Sequence, residues 1–182
     1  MNFDLQPHLK NTIVRIQPLA ESDFERLYAI ASDPLIWEQH PNKNRYQREV
    51  FQTFFKGAME SEGAFLVFDS KTNEPIGSSR YTELDETNNS ISIGYTFIAR
   101  SHWGGKYNPA LKALMLDHAF CFADAVILKI GACNIRSQTA IQRIGARKIG
   151  EADIEYYGEA GKPNFIYQID KKDWQNANHS IK

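Results

Sequence analysis

Residues 64–98 constrain the fold of this chain more than any other stretch of its sequence. Three runs rich in β-branched and aromatic residues follow one another there, and polar clusters typical of turns separate them at 71–75 and 85–89. Short turns join neighbouring strands into antiparallel pairs. The segment therefore predicts an antiparallel meander of three strands.

Apolar residues at helical spacing predict four helices outside the meander. In the first helix, Ser22 and Glu25 have the spacing of a capping box. A second apolar stripe runs through residues 50–59. A short fourth helix over 137–146 is expected to stop at Gly145. The third helix is the longest, and its stripe consists of Leu111, Leu114, Met115, His118, Ala119 and Phe122.

Further strand patterns lie on both sides of the meander. Residues 12–19 alternate between two faces, which is typical of a strand, and residues 125–134 form a continuous apolar strand. A final hairpin is expected from strands at 147–157 and 163–170, joined by a polar turn at 158–162. The sequence thus predicts about seven strands.

The order of these elements indicates the α/β (α+β) class. Strands and helices mix along the chain without an internal repeat, a low-complexity segment or a linker. We therefore expect a single domain over residues 1–182, with about seven strands flanked by four helices. The tail after Trp174 is expected to fray.

Charge and cysteine content exclude several classes of partner. The 21 basic and 22 acidic residues nearly cancel, so attraction to nucleic acid or to an anionic membrane is not expected. The two cysteines form no CxxC pair and have no ligand-spaced histidines, so we expect neither a disulfide scaffold nor a metal site. The start of the chain has no basic and apolar leader pattern, and a cytoplasmic location is expected.

The stretch "RSHWGGKYNP" (100–109) stands between a predicted strand and the longest helix. Gly104 and Gly105 can adopt positive φ, Asn108 has the chemistry of an N-cap, and Pro109 suits the first helical position. Free backbone N–H groups and the helix dipole converge at such a point, which favours a bound phosphate. The alternative is a plain turn with a good cap. A Walker A loop and a dinucleotide fingerprint are both excluded by the glycine spacing.

Two ordered motifs resemble those of the GNAT superfamily of acyl-CoA N-acyltransferases. The first contains Trp103, Gly104 and Tyr107, and the second contains Asn134, Ser137, Gly145 and Ala146. The resemblance is strongest to the branch of the ribosomal-protein N-terminal acetyltransferases, and it covers nearly the whole chain. It implies a mixed, mostly antiparallel central sheet, acetyl-CoA as cosubstrate, and a small-molecule or peptide amine as acceptor.

The resemblance also implies roles for individual residues. The pantetheine arm is expected along the strand that ends at Phe97 and Ile98. Ser137 is expected to protonate or hydrogen-bond the departing sulfur, and Trp37, Glu38 and Ser92 are expected at the acceptor. The remaining residues implied in CoA binding are Trp103, Gly104, Gly105, Lys106, Tyr107, Asn108 and Asn134.

Four positions depart from the pattern of the superfamily, and one of them is Asn108, which stands where a small residue usually precedes the helix. Lys106 stands where the pyrophosphate loop usually has glycine, and it either reaches a phosphate or is an ordinary solvated lysine. Ile141 replaces the Tyr that protonates the thiolate in many members, and Ser92 replaces a common acidic residue. A site without a dedicated carboxylate base favours an α-amine or another weakly basic amine. Other carboxylates that could act as the base are Glu38, Glu83, Asp85 and Glu155.

Two classes of function follow. The favoured one is an acetyl-CoA-dependent N-acetyltransferase that acts by direct attack of a primary amine on the thioester. The alternative is a noncatalytic acyl-CoA-binding or regulatory module of the same fold, which the residues Ile141 and Ser92 favour. The identity of the amine is left open, as is a homodimer.

Overall fold

The structure is a computed structural model that describes residues 3–179 of the chain. Eight strands form one sheet, and five helices pack against it. The strands are β1 (Leu9–Lys10), β2 (Val14–Pro18), β3 (Ala64–Asp69), β4 (Pro75–Asp85), β5 (Ser90–Ile98), β6 (Ala125–Gly131), β7 (Arg147–Tyr156) and β8 (Glu159–Asp170). The helices are α1 (Phe24–Ala31), α2 (Arg48–Glu60), α3 (Tyr107–Ala119), α4 (Ile135–Gln142) and α5 (Lys171–His179).

The sheet has the strand order β1-β2-β3-β4-β5-β6-β8-β7. All neighbouring strands are antiparallel except β5 and β6, which run parallel. Parallel neighbours need a crossover connection, and α3 provides it. The predicted meander over 64–98 and the mixed, mostly antiparallel sheet are both confirmed.

One strand and one helix exceed the expected seven and four. β1 has only two residues, too few for an alternating pattern to reveal it. α5 covers residues that the sequence analysis expected to fray after Trp174. The Trp174 ring is buried, and its Nε1 donates to Oδ1 of Asp117 on α3 at 2.7 Å. That contact anchors the segment, so the prediction of a frayed tail was wrong for 175–179.

The sheet separates two apolar cores. In β3, Leu66 and Phe68 pack with α1 and α2, whereas Phe65 and Val67 pack with α3 and α4 on the opposite face. This alternation is the period of two that a strand with both faces buried must have. The two faces therefore carry different helices and, as described below, different parts of the candidate site.

The capping box predicted at Ser22 and Glu25 is not formed. A 3-10 turn over Glu21–Asp23 precedes α1. It is Asp23 whose Oδ2 accepts the backbone N–H of Ala20, at 3.0 Å. The helical segment thus begins at Glu21, before the first apolar residue of α1. It can do so because the Asp23 carboxylate accepts the otherwise free N–H of Ala20.

The last hairpin is tighter than predicted. Tyr156 of β7 pairs with Glu159 of β8, so the turn consists of Tyr157 and Gly158 rather than residues 158–162. Gly158 has φ of 67°. Two-residue hairpin turns require positive φ, which glycine adopts without a steric penalty.

No helix within residues 3–179 is both long enough and apolar enough to cross a membrane. In the same part of the chain, no three His, Cys, Asp or Glu side chains are grouped so that they could hold a metal ion. Cys121 and Cys133 are free and exposed.

Candidate active site

The two parallel strands separate beyond their first three residues. Pairing between β5 and β6 is limited to Ser90–Ser92 with Ala125–Ile127, although β5 continues to Ile98 and β6 to Gly131. A cavity of about 560 Å³ lies where the strands diverge, and both strands line it. The facing edges of β5 and β6 therefore have no sheet neighbour there and can hydrogen-bond an extended ligand.

A β-bulge reshapes β5 inside this cavity. Arg80 of β4 pairs with Gly94 while Ser78 pairs with Phe97, so β5 contains one extra residue. Tyr95 at the bulge has φ of 54°, which costs about 1–2 kcal/mol for a residue with a Cβ. The guanidinium of Arg80 lies 4.0 Å from the centre of the Tyr95 ring and holds it in place.

The packing of its neighbours shows which face of β5 carries Ser92, since Ile91 and Ile93 both belong to the core of α3. Simple alternation predicts Ile93 and Tyr95 on one face, opposite Ser92. Instead Tyr95 packs with Phe54 of α2, whereas Ile93 belongs to the core of α3. The expectation for Tyr95 was wrong because the extra residue shifts the alternation. Ser92 lies on the side of α1 and α2 and lines the cavity.

The glycine turn before α3 lies at the open end of the separated strands. Gly104 has φ of 71°, as expected, whereas Gly105 does not adopt positive φ. A Cβ at either glycine would have no neighbour within 4 Å, and both line the cavity. Nε1 of Trp103 donates to the carbonyl of Ile98 at 2.8 Å and folds the turn back onto the end of β5.

The start of α3 differs from the prediction by two residues. The helix begins at Tyr107, so Asn108 is its second residue and not its N-cap, and Pro109 is its third residue and not its first. Pro109 is tolerated because the first four N–H groups of a helix have no intrahelical partner. Asn108 nevertheless lines the cavity.

Two residues expected at the CoA loop do not line the cavity. Tyr107 donates its hydroxyl to Oδ2 of Asp69 on β3 at 2.7 Å, which lowers the pKa of that carboxyl. Lys106 is exposed, with its Nζ 5.9 Å from the centre of the Tyr107 ring. In this arrangement Tyr107 anchors the helix to the sheet, and Lys106 is a solvated loop lysine.

The second motif is at the start of α4. Asn134 is the N-cap of this helix, and its Oδ1 accepts the backbone N–H of Ser137 at 3.1 Å. Both side chains line the cavity. α4 spans Ile135–Gln142, so it begins and ends before the predicted 137–146, and the turn that follows it reaches Gly145, whose φ is 91°.

A carboxylate from the neighbouring strand lies beside Ser92. The Ser92 hydroxyl donates to Oε2 of Glu83 on β4 at 2.8 Å, and Nζ of Lys129 on β6 donates to Oε1 at 2.6 Å. Glu83 has φ of 53° at an irregularity in β4. All three side chains line the cavity. The acidic group missing from position 92 is thus supplied from β4.

The other carboxylates considered as a base have different surroundings. Glu38 does not line the cavity and pairs with Nη1 of Arg136 at 3.2 Å. Asp85 accepts the N–H groups of Thr87 and Asn88 in the turn between β4 and β5. Glu155 on β7 lines the cavity and is exposed.

Trp37 belongs both to the apolar core and to the lining of the cavity. Its ring is buried, its Nε1 donates to the carbonyl of Ala31 at 2.7 Å, and its centre lies 5.0 Å from that of Phe97. It is therefore a core residue that also forms part of the cavity wall. Phe97 and Ile98 line the cavity as well.

A buried ion pair that the sequence did not reveal lies at the cavity wall. Arg45 forms two hydrogen bonds with the carboxylate of Glu159, at 2.8 and 2.6 Å. Nη1 of Arg45 lies 3.1 Å from Nε2 of His40, whose pKa burial holds well below its usual value. Arg45, His40 and Tyr156 line the cavity, and burial raises the pKa of Tyr156 to about 12.

Lys112 on α3 is the second group that sequence reasoning missed. Its side chain lines the cavity, and Nζ donates to Oγ1 of Thr96 at 2.7 Å. Burial lowers the pKa of Lys112 to about 7. A signal was present in the sequence, because Lys112 precedes Leu116 by four residues and Ala119 by seven, so it lies on the buried stripe of the helix.

Charge is unevenly distributed along the cavity. Positive charge comes from Lys112 on α3, Arg136 on α4 and Arg143 directly after α4. The carboxylate of Glu83 lies beside Ser92, about 20 Å along β5 from the end of that strand. An anionic ligand is therefore favoured at the glycine turn, whereas the charge of Glu83 is paired with that of Lys129.

Known proteins share this architecture. Residues 14–147 match the family model described as "Acetyltransferase (GNAT) domain". A comparison with curated protein sequences finds no match.

Several solved structures are similar over nearly the whole chain. A GCN5-related N-acetyltransferase from Brucella melitensis has TM-score 0.78 and 17% identity, over 96% of this chain and 83% of that one. RimJ from Mycobacterium smegmatis, in complex with CoA-disulfide, has TM-score 0.69 and 17% identity, over 94% and 93%. Spermidine N-acetyltransferase from Vibrio cholerae, in complex with CoA and spermine, has TM-score 0.69 and 15% identity, over 91% and 100%. At these identities the similarity establishes the fold.

Proposed function

Because the chain belongs to the GNAT acetyltransferase family, we propose that it transfers the acetyl group of acetyl-CoA to a primary amine. Acetyl-CoA is its cosubstrate. The observation that carries the proposal is the separation of β5 from β6, with a glycine turn at the open end and Glu83 with Ser92 at the closed end. This arrangement has an anion site and an amine site in one cavity.

The residues that would hold acetyl-CoA follow from the cavity. The backbone N–H groups from Gly104 to Asn108 face the pyrophosphate, and the pantetheine arm pairs with the free edge of β5 at Phe97 and Ile98. The amide NH₂ of Asn134 hydrogen-bonds that arm, since its Oδ1 is already used to cap α4.

The chemistry requires a neutral amine and a leaving thiol. Deprotonating a lysine-type amine at neutral pH costs about 4–5 kcal/mol, whereas an α-amine costs about 1 kcal/mol. We assign Glu83 to accept the proton of the acceptor, directly or through water. Ser137 donates a hydrogen bond to the sulfur.

The acceptor is a protein N-terminus, a peptide or a small amine. The sequence motifs favour an N-terminal α-amine, whereas the similarity to a spermidine N-acetyltransferase supports a small amine. Trp37, Tyr95 and Tyr156 are aromatic residues that line the same cavity, which suits the apolar part of either kind of acceptor. The single domain over 1–182, the cytoplasmic location and the homodimer stay predictions from the sequence.

The test is to titrate acetyl-CoA by calorimetry and then to follow thiol release with a panel of amines and peptides. We expect binding and turnover, with the products identified by mass spectrometry. Binding without turnover on any acceptor would favour the noncatalytic acyl-CoA-binding module.

Gly104→Val is expected to raise the dissociation constant of acetyl-CoA about tenfold or more. Gly104 has φ of 71°, which a β-branched residue adopts only with strain, and the turn must let its backbone approach the phosphates. Gly105→Val is expected to act similarly by blocking the approach. Gly150→Ala in β7, where a Cβ meets nothing within 4 Å, is the control. Calorimetry gives the constants, and unchanged affinity in both valine variants would refute the loop assignment.

Ser137→Ala is expected to lower kcat by about 10- to 100-fold while leaving acetyl-CoA binding nearly unchanged. A thiol with pKa about 8.5 is an acceptable leaving group, so losing one hydrogen bond to it has a moderate effect. Steady-state kinetics of thiol release measures the change. A loss of binding with kcat intact would show that the side chain has only a structural role.

A further inference from the structure

Lys112 is a buried lysine whose presence neither packing nor ion pairing explains. It is 5% exposed and lies on the face of α3 that packs on the sheet. Its Nζ donates to Oγ1 of Thr96 at 2.7 Å, and that oxygen lies 2.8 Å from Oγ of Ser79. Both Lys112 and Thr96 line the cavity.

The surroundings of Lys112 do not neutralise its charge. Among the ion pairs of residues 3–179, none includes Lys112. Desolvation is the sole cause of its lowered pKa. Burying an ammonium without an anion is costly, and a Leu or Met would fill the same helix position without that cost. A buried amine that lines a cavity and has one hydroxyl partner therefore points to a role toward a ligand.

Lys112 hydrogen-bonds the residue of β5 that directly precedes Phe97 and Ile98, along which the pantetheine arm is proposed to lie. Thr96 follows the bulge at Tyr95, midway between the glycine turn and the closed end of the separated strands. α3 and α4 pack on the same face of the sheet and border the same cavity. On α4, position 141 offers only the apolar side chain of Ile141, which is 3% exposed. Position 141 of α4 therefore has no proton donor. Lys112 of α3 is a proton donor on the same face of the sheet.

We propose that Lys112 is the acid that protonates the departing CoA thiolate. This inference rests on the proposed acetyl transfer. It assigns to α3 the proton donation that Ile141 cannot provide, and it leaves Ser137 as a hydrogen-bond donor to the same sulfur.

Acetyl transfer forms a C–N bond and breaks the C–S bond of the thioester. The nitrogen of the neutral acceptor amine forms a bond to the thioester carbonyl carbon, and the C=O electron pair moves to oxygen. When that pair returns, the C–S bond breaks, and the sulfur takes a proton from the Nζ of Lys112 as CoA leaves as a thiol. The amide nitrogen gives its extra proton to Glu83 or water, and Lys112 regains a proton from solvent.

The protonation of Lys112 gives the role a pH signature. With a pKa of about 7, Lys112 loses its proton as pH rises through neutrality, so the acid form and the rate fall above that point. The other charged or titratable side chains that line the cavity are His40, Arg45, Glu83, Tyr95, His102, Lys129, Arg136, Arg143, Glu155 and Tyr156. Bound phosphates add negative charge and move the inflection in kcat to higher pH than the inflection in kcat/KM for acetyl-CoA.

The experiment compares Lys112→Met and Lys112→Arg with the unaltered protein. We expect acetyl-CoA affinity within about fivefold, because backbone N–H groups and other cations bind the phosphates. We expect kcat to fall about 100-fold in both variants, and the high-pH decline of kcat/KM to disappear. Arg is included because it keeps the charge but does not release its proton. Lys56→Met, at an exposed position on α2, is expected to match the wild type.

Other outcomes would overturn the proposal. If Lys112→Arg keeps the wild-type kcat, the charge alone suffices and no proton is donated. If Lys112→Met keeps both kcat and the high-pH decline, the group has no part in the reaction. An acetyl group found on Lys112 by mass spectrometry would make it a nucleophile. Absence of turnover in the unaltered protein would refute the acetyl transfer itself, which separates the two failures.

Two further variants keep the test decisive even if the Lys112 variants do not fold. Ser137→Ala is expected to lower kcat but to keep the high-pH decline, because a serine hydroxyl does not titrate in this range. Thr96→Val removes the oxygen that accepts from the ammonium, so the pKa of Lys112 falls and the decline moves to lower pH. A decline that stays in place in Thr96→Val would contradict the assignment to Lys112.

Discussion

Arg45→Met is expected to lower the free energy of unfolding by about 3–5 kcal/mol. The Arg45 side chain is 2% exposed and that of Glu159 is 12% exposed, so the substitution leaves a carboxylate nearly buried without its partner. The guanidinium also lies 4.8 Å from the centre of the Phe54 ring and 5.3 Å from that of Tyr156. Denaturant unfolding followed by circular dichroism measures the loss.

Two comparisons test the cause of that loss. Arg48→Met breaks a pair with Glu25 whose side chains are 44% and 68% exposed, and we expect it to leave the free energy of unfolding nearly unchanged because solvent screens the pair. Combining Arg45→Met with Glu159→Gln removes the unpaired charge and is expected to recover part of the stability. If Arg45→Met and Arg48→Met lower the free energy of unfolding equally, burial of the ion pair does not determine the loss.

Glu83→Gln is expected to lower kcat/KM for the acceptor by about 100- to 1,000-fold at neutral pH. The amide cannot accept the acceptor's proton, and only its single oxygen can still accept a hydrogen bond from Ser92 or Lys129, which in the carboxylate bind different oxygens. The loss should shrink as pH rises toward the pKa of the acceptor amine, because the amine then loses its proton to solvent. A pH–rate profile on two acceptors whose amine pKa values differ by about two units measures this.

The matched comparison is Glu155→Gln, the other carboxylate that lines the cavity. If only Glu155→Gln lowers the rate, the base is on β7. If neither variant does and the inflection follows the acceptor's own pKa, the site has no carboxylate base, as the serine at position 92 suggested. In that case Ser92→Glu would be expected to improve turnover of more basic amines, because Ser92 faces the cavity.

The sequence predicted the features of this protein that neighbouring residues determine. The meander over 64–98, the apolar stripe of α3 and the turn at Gly145 depend on periodicity and on backbone freedom within a few residues. The two motifs at Trp103 to Tyr107 and Asn134 to Ser137 revealed the family for the same reason, since each is a short turn that begins a helix.

Neighbouring residues in the sequence did not predict which charged groups of the candidate site lie close together. Glu83 reaches Ser92 because β4 pairs with β5 in one register and has an irregularity there. Arg45 meets Glu159 across a separation of 114 residues. No local pattern encodes such contacts, because register and long-range docking depend on the packing of the whole sheet.

By itself the sequence determined the order of the elements, the antiparallel meander and the glycine turn before α3, because local sterics and the spacing of apolar residues suffice for them; the mixed sheet was implied by the family resemblance. Only the tertiary structure decided where β5 and β6 separate, that Tyr95 shifts the alternation of β5, and that Lys112 is buried facing the cavity. Those features depend on which surfaces exclude water together, and burial is what changes the protonation of an amine such as Lys112.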